Sequence, residues 1–149
     1  MTEVLFYHMQ RRPVDAVLPP LLEKTLEKGW RAVVQSALPE RVAALDGHLW
    51  TYRDESFLPH AAADEPESHE QPILLASDEG NLNEAAVRFL IDGAEIDDAS
   101  RYERIVYLFD GRDEEGLGKA RAYWKMMKDA GHDVTYWLEG EDGRWVKKA

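Results

Sequence analysis

The stretch Ile105-Val106-Tyr107-Leu108-Phe109-Asp110 decides the fold class, because its β-branched and aromatic residues predict a buried strand. A glycine-rich turn at 111–118 then leads into a helix that runs to about Ala130, and Gly131 ends that helix. Asp133–Leu138 predicts a last strand. A strand, a helix and a strand in this order are typical of a parallel α/β sheet.

Strands and helices also alternate in the N-terminal part of the sequence. Val4–Tyr7 predicts a strand, an apolar stripe over 13–26 predicts a helix, and Arg31–Ser36 predicts a second strand followed by a helix over Pro39–Trp50. Pro19-Pro20 falls inside the first helix, so we expect that helix either to start late or to be kinked.

The remaining segments complete a single domain. Ile73–Ala76 and Phe89–Asp92 predict two further strands, residues 61–71 predict an acidic surface loop, and residues 141–149 predict a polar C-terminal tail. We therefore expect residues 1–149 to form one three-layer α/β/α domain with a mostly parallel sheet.

Composition excludes several classes of protein. The 149 residues include no cysteine, so disulfides, cysteine-based metal sites and thiol nucleophiles are impossible. Lys and Arg number 18 and Asp and Glu 29, and the resulting net charge of −11 repels nucleic acid at long range, although a local basic patch could act within ~8 Å. The N-terminus has no leader-like pattern and no apolar run is long enough to span a membrane, which predicts a cytoplasmic protein.

The sequence gives little sign of catalysis or of a cofactor. In the glycine cluster Gly111–Lys119, Leu117 follows Gly116 where a phosphate-binding loop needs Lys, and the third glycine of the dinucleotide fingerprint is missing. The five histidines form no HExxH motif, so no metal site is predicted. An α/β nucleotide-binding enzyme that uses Gly111–Gly118 and Asp110 remains an alternative.

The helix that follows the glycine cluster carries the most informative pattern. Between Leu117 and Lys128 there are four cations and no acid, in a protein of net charge −11. A helical wheel places one basic face opposite a core face. The basic face consists of Arg121, Trp124, Lys125 and Lys128, and the core face of Ala120, Ala122, Tyr123, Met126, Met127 and Ala130.

Three interpretations of the basic face stay open. It is either a solvated surface, a site for an acidic peptide with an apolar anchor, or a nucleic-acid-binding module built on residues 119–128. For the peptide site, cations would meet carboxylates while the Trp124 indole covers the anchor.

A second pattern lies where the helix ending near Trp50 gives way to a polar segment. Leu49-Trp50-Thr51-Tyr52 and Phe57-Leu58 place aromatic and aliphatic residues close together. They either pack the end of the helix in the core or form an exposed patch for a protein partner, since Trp and Tyr are frequent interface anchors.

These patterns together resemble the chi subunit family of bacterial DNA polymerase III, over nearly the whole chain. Leu5-Phe6-Tyr7 is similar to the family's first strand. Leu45-Asp46-Gly47-His48-Leu49-Trp50 followed by Glu55-Ser56-Phe57-Leu58-Pro59-His60 resembles its most specific signature. Arg121-Ala122-Tyr123-Trp124-Lys125, with Lys128 and Ala130-Gly131, resembles its C-terminal helix, although relatives more often have tyrosine at the position of Trp124.

The resemblance implies a Rossmann-like fold without a nucleotide and a non-catalytic accessory subunit of an assembly with DNA-directed DNA polymerase activity. Such a subunit acts in DNA replication, at the replication fork in the nucleoid. It links the clamp loader to single-stranded-DNA-binding protein by gripping the acidic C-terminal tail of that protein. Carried over by position, Arg121, Trp124, Lys125 and Lys128 would bind the tail. Trp50 and Phe57 would contact the psi subunit or a helicase that competes for the same surface.

Overall fold

The computed structural model describes residues 2–51, 60–62, 71–78, 80 and 84–148, with the backbone alone at positions 50, 51 and 61. Eight strands form one sheet in the order β3-β4-β2-β5-β6-β1-β7-β8. The strands are β1 (Glu3–Met9), β2 (Ala32–Ser36), β3 (His60–Ala62), β4 (Ile73–Ala76), β5 (Val87–Ile91), β6 (Arg104–Asp110), β7 (Asp133–Glu139) and β8 (Trp145–Lys147). Every neighbouring pair is parallel except β7 and β8. The predicted mostly parallel α/β sheet is confirmed.

Among the described residues, three α-helices connect these strands, namely α1 (Val14–Glu27), α2 (Pro39–Thr51) and α3 (Glu114–Asp129). A short 3-10 helix spans Ala99–Arg101. At the start of α3 the Asp113 side chain accepts a hydrogen bond from the Glu115 amide, and two glutamates occupy the first turn, where negative charge suits the helix dipole. Gly29 follows the C-cap residue Lys28 and has a φ of +79°, a left-handed conformation that glycine adopts at low cost and that ends α1.

Helix α1 starts at Val14 and contains both prolines, so of the two expected alternatives the late start is ruled out. Pro19 has no N–H to donate to the carbonyl of Asp15, four residues earlier. The His48 ring nitrogen Nε2 in α2 lies 2.8 Å from that carbonyl oxygen and hydrogen-bonds to it. The hydrogen bond that proline removes is thus replaced from the neighbouring helix.

The sheet alternation divides the core into two layers. On one face Leu5, Val34 and Phe89 pack with α1 and α2, and on the other Phe6 and Tyr107 pack with α3. Because successive residues of a strand point to opposite faces, β1 contributes to both layers. The predicted three-layer α/β/α arrangement is confirmed.

A fully buried arginine holds the connection between β4 and β5 against the α3 side of the sheet. Arg88 donates hydrogen bonds to the Gln35 side chain at 2.9 Å, to the Tyr102 hydroxyl at 2.8 Å and to the carbonyls of Gly80 at 2.8 Å and Asp78 at 2.5 Å. Oxygen atoms on four separate groups therefore solvate this buried charge in place of water.

Two short strands were not predicted. His60–Ala62 pairs with β4 as strand β3, so Ala61 and Ala62, which the predicted acidic loop at 61–71 included, belong to the sheet. Trp145–Lys147 pairs with β7 as strand β8, so the predicted polar tail at 141–149 is partly sheet. Both strands are three residues long and lie at the sheet edges. Such short segments show no alternation of apolar and polar residues, and they are strands because they pair with a neighbouring strand.

Candidate functional site

Helix α3 presents the predicted basic face to solvent. Arg121, Lys125 and Lys128 are exposed, whereas Trp124 is half-buried. The Trp124 ring packs edge-on against Phe6, with centroids 5.3 Å apart, and against Tyr136, with centroids 5.6 Å apart. The Lys128 ammonium lies 5.1 Å from the Trp124 ring centroid, within cation–π range. The indole therefore joins the basic face to the sheet.

The predicted core face of α3 was partly wrong. Ala120, Tyr123 and Met127 are buried as expected, but Met126 is 48% exposed, and Ala122 and Ala130 are also exposed. The contacting face is rotated towards Leu117 and Trp124, which both pack against the α3-side core. The helix packs on β6 and β7. The position of these strands, and not side-chain hydrophobicity alone, therefore determines which side chains of α3 are buried.

A pocket of about 300 Å³ lies between α3 and the sheet. Its lining consists of His8, Phe109, Leu117, Ala120, Arg121, Trp124 and Tyr136. Of the four predicted tail-binding residues, Arg121 and Trp124 line this pocket, whereas Lys125 and Lys128 lie outside its lining. We call it the α3 pocket. It offers an apolar recess with an exposed guanidinium at its border.

His8 and Tyr136 are pocket residues that the sequence analysis missed. The His8 ring nitrogen Nδ1 shares a hydrogen bond with the Tyr136 hydroxyl, and the ring packs 4.9 Å from the Phe109 ring, centroid to centroid. Gly111 leaves the space for this ring, because a Cβ there would lie 1.7 Å from His8 Nε2. Strand alternation was the available signal, since it places His8 on the same face as Phe6.

The pocket's electrostatics favour an anion. Burial lowers the pKa of His8 and the nearby Arg121 lowers it further, while Asp110 raises it. Burial raises the pKa of the Tyr136 hydroxyl, against the opposing effect of Arg121. Both groups are therefore neutral at pH 7, and Arg121 is the charged side chain in the pocket lining. A ligand with one anionic group and an apolar body matches this arrangement.

The crevice that the nucleotide-binding alternative would use lies at the carboxyl ends of the central strands. Here Asp92 accepts hydrogen bonds from Ser36 at 2.6 Å and from Arg41 at 3.1 Å, and Asp110 accepts from Arg112 at 2.9 Å. The predicted glycine turn is partly helical, because α3 already begins at Glu114. The cations in this crevice are Arg41, Arg112 and Lys119, and both arginines are already paired with carboxylates, so the geometry does not favour a nucleotide phosphate.

The second predicted surface lies outside the described residues. The side chain of Trp50 and the whole of Phe57 belong to that part of the chain, so their assignment as a patch stays a prediction. Nearby, Leu49 is buried in α2 and the His60 ring nitrogen Nε2 lies 3.0 Å from Asp46 Oδ1. Within the described ranges, no three His, Asp or Glu side chains are grouped to hold a metal ion. No helix in those ranges has the length and apolar character to cross a bilayer.

Comparison with known structures shows the fold. The C-terminal domain of the DEAD-box protein Dbp5 superposes with a TM-score of 0.56 at 13% identity, over 91% of this chain and 90% of that chain. At this identity the similarity supports the α/β architecture and nothing about activity.

Comparison of sequences identifies the family. A probable DNA polymerase III subunit chi of Rickettsia prowazekii is 26% identical over 96 residues, which are 64% of this chain and 58% of that protein. The matched stretch thus spans less than two thirds of that relative. The DNA polymerase III subunit chi of Pseudomonas aeruginosa is 31% identical over 97 residues, 62% of this chain and 67% of that protein.

The sequence model of one family, described as "DNA polymerase III chi subunit, HolC", matches residues 1–135. The matched range includes strands β1 to β6, helix α3 and the start of β7, and so contains the α3 pocket residues except Tyr136. The chain therefore belongs to the DNA polymerase III chi subunit family.

Proposed function

We propose that this protein is a non-catalytic accessory subunit in DNA replication that links the polymerase III clamp loader to single-stranded-DNA-binding protein. In this proposal the α3 pocket and its basic face grip the acidic C-terminal tail of the latter. The observation that carries the proposal is the exposed Arg121 guanidinium at the border of an apolar recess walled by Trp124. A tail that ends in an apolar residue with a free carboxylate has the matching chemistry.

The four residues have different roles in this proposal. Arg121 pairs with the terminal carboxylate and Trp124 covers the apolar side chain. Lys125 and Lys128 are exposed on the same helix and attract the acidic residues that precede the terminus. Lys128 also holds its ammonium against the Trp124 ring, 5.1 Å from the centroid.

Fluorescence anisotropy with a labelled tail peptide tests the tail site. Arg121→Glu should weaken binding by about 2 kcal/mol or more, because a charge-assisted contact becomes a repulsion. Amidation of the peptide's C-terminus should also weaken binding to the unaltered protein. Arg31→Glu is the matched control, since it makes the same charge change at an exposed position just before β2 that does not line the α3 pocket. Equal affinity of the Arg121→Glu variant and the unaltered protein would place the tail elsewhere.

We further propose that Trp50 and Phe57 form a second surface that binds the clamp-loader psi subunit or a helicase. Two separate surfaces would let one chain hold both partners, and each weak contact would gain from effective concentration. The Trp50→Ala/Phe57→Ala variant should lose clamp-loader or helicase partners in a pull-down and keep the tail peptide. A large fall in melting temperature with loss of both partners would identify these two aromatics as core residues.

A further inference from the structure

A groove lies on the opposite side of the sheet from the α3 pocket. Helix α1 packs on β2 and β6, and α2 packs on β2, β3 and β4. On this face β7 and β8 therefore lie beside the helix layer rather than beneath it. Between α1 and this end of the sheet there is a groove of about 370 Å³, which we call the α1 groove.

The groove has an apolar floor and an aromatic wall. Buried aliphatic and aromatic side chains form the floor, namely Leu5, Val17, Phe89 and Val106. Half-buried Tyr7, Trp137 and Trp145 form the wall. The Tyr7 ring packs edge-on against Trp145, with centroids 4.8 Å apart, and lies nearly parallel to Trp137 at 6.4 Å. Such a recess suits an apolar or aromatic side chain from a partner.

All charged side chains in the groove lining are cations, although the protein carries a net charge of −11. They are Arg12, Lys24, Lys28 and Arg104. Arg12 pairs with Glu139 at 2.5 Å and Arg104 pairs with Glu3 at 2.7 Å. Lys24 and Lys28 are exposed one helical turn apart near the end of α1, and the Lys28 ammonium lies 5.2 Å from the Trp30 ring centroid. The α1 side of the groove is thus positively charged.

We propose that the α1 groove is a second binding site, for an acidic peptide segment that carries an aromatic or large aliphatic anchor. The anchor packs against Tyr7, Trp137 and Trp145, and the acidic residues face Lys24 and Lys28. Because Tyr7 and His8 point to opposite faces of β1, this site and the α3 pocket are separate and can be filled together. The inference does not depend on the tail-binding proposal.

The structure favours a peptide over the other occupants of such a groove. A nucleic acid carries a phosphate at every nucleotide and needs a row of cations along its backbone, but in this groove Arg12 and Arg104 are already paired with Glu139 and Glu3. A second copy of this chain would bring the same net negative charge. A short acidic segment carries only a few charges, so the protein repels it less than either competitor, and it needs only the local cations and room for one side chain.

Selection from a phage-displayed library of random twelve-residue peptides tests the proposal. The bait is the full chain with Arg121→Glu, which removes the cation of the α3 pocket. Selected peptides should be rich in Asp and Glu around a Trp, Phe or Leu. Synthetic copies of the selected peptides should bind the Lys24→Glu/Lys28→Glu variant at least tenfold more weakly than the protein with an unaltered groove. Their binding should also quench the protein's tryptophan fluorescence less in the Trp145→Phe variant. Lys119→Glu on α3 is the matched control for each single lysine change, at an exposed position outside the linings of the groove and of the α3 pocket.

Several outcomes would overturn the proposal. One is that the selected peptides lack acidic residues. A second is that peptides are enriched no more on the bait than on a bait that also carries Lys24→Glu/Lys28→Glu. Another is equal affinity for the groove variants and the α3 control. Binding of a twenty-nucleotide oligo-dT that Lys24→Glu/Lys28→Glu weakens would assign the groove to nucleic acid. Dimerisation in sedimentation that Trp145→Ala abolishes would assign it to a second copy. Melting temperatures of all variants establish that the fold is retained.

Discussion

His8 and Tyr136 share a hydrogen bond between the ring nitrogen Nδ1 and the phenol hydroxyl, which joins strands β1 and β7 inside the α3 pocket. The two residues are 128 positions apart in sequence. Phe109 on β6 packs against both rings, with centroid distances of 4.9 Å to His8 and 6.1 Å to Tyr136. The polar groups of the pocket are therefore held by three adjacent strands, while Arg121 is supplied by α3.

This arrangement predicts that binding of an anionic ligand in the α3 pocket depends on pH. In the free protein, burial and the neighbouring Arg121 lower the pKa of His8, so the ring is neutral at pH 7. A bound carboxylate favours the protonated ring and raises that pKa, so binding takes up a proton. Affinity for the tail peptide should therefore increase as the pH falls from 8 to 6, where the peptide's carboxylates stay ionised. In anisotropy titrations the affinity of the His8→Gln variant should not increase as the pH falls. If the variant and the unaltered protein show the same pH dependence, protonation of His8 is not coupled to binding.

Gly111→Ala should disrupt the α3 pocket through His8. The added Cβ would lie 1.7 Å from His8 Nε2, and the ring cannot yield easily between Tyr136 and Phe109. We expect a loss of roughly 1–3 kcal/mol in the free energy of unfolding, as for other overpacked sites. In a His8→Ala background the same change should cost much less, because the clash is gone. Urea denaturation of the four proteins gives this comparison, and an equal cost in both backgrounds would contradict the mechanism.

Glu139 should contribute to stability only above acidic pH. Burial alone would raise its pKa, but hydrogen bonds from the Arg12 side chain and from the amides of Gln10, Arg11 and Arg12 outweigh burial and lower the pKa to about 2. Since the folded-state pKa lies below the ordinary value of 4.5, the contribution is complete above pH 4.5 and is lost as the pH falls through about 2.

The lowered pKa corresponds to about 3 kcal/mol in the free energy of unfolding. The stability difference between the unaltered protein and Glu139→Gln should therefore shrink by about that amount from pH 6 to pH 2. Glu141→Gln is the control, because Glu141 is exposed and its ion pair with Arg11 spans 3.6 Å. A pH-independent difference for Glu139→Gln would show that the carboxylate charge is not what stabilises the turn after β1.

Arg88→Met should be strongly destabilising, because it leaves the buried side-chain oxygens of Gln35 and Tyr102 without their donor and also removes the hydrogen bonds to the part-buried carbonyls of Asp78 and Gly80. At about 1–3 kcal/mol for each unsatisfied buried group, we expect a loss of at least about 2 kcal/mol. Arg101→Met is the matched control, since both guanidinium groups lie over the Tyr102 ring, at 5.6 and 5.9 Å, and Arg101 is exposed. The control should change stability by less than about 0.5 kcal/mol. Similar thermal melting of the two variants would contradict the role assigned to Arg88.

Elements whose signals are local can be predicted from the sequence. Apolar runs such as Ile105–Asp110 define the central strands, because a strand buried on both faces needs little polar alternation. Pro39 and Gly131 mark a helix start and a helix end through the backbone conformations that these residues favour. The basic face of α3 was also visible, since charge and a period of 3.6 residues suffice to predict which cations share one side of a helix.

Tertiary structure alone decided the features that depend on neighbours distant in sequence. Strands β3 and β8 exist because β4 and β7 offer free edges, which three-residue segments cannot reveal by their composition. The α3 pocket needs β1, β6, β7 and α3 to be adjacent, so strand alternation predicts the face on which His8 lies but not that His8 and Tyr136 line one pocket. The sheet also determines which side of α3 is buried, since a helix buries the side chains that face the sheet on which it packs. Met126 is therefore exposed and Trp124 packs against the core, although the helical wheel predicted the opposite.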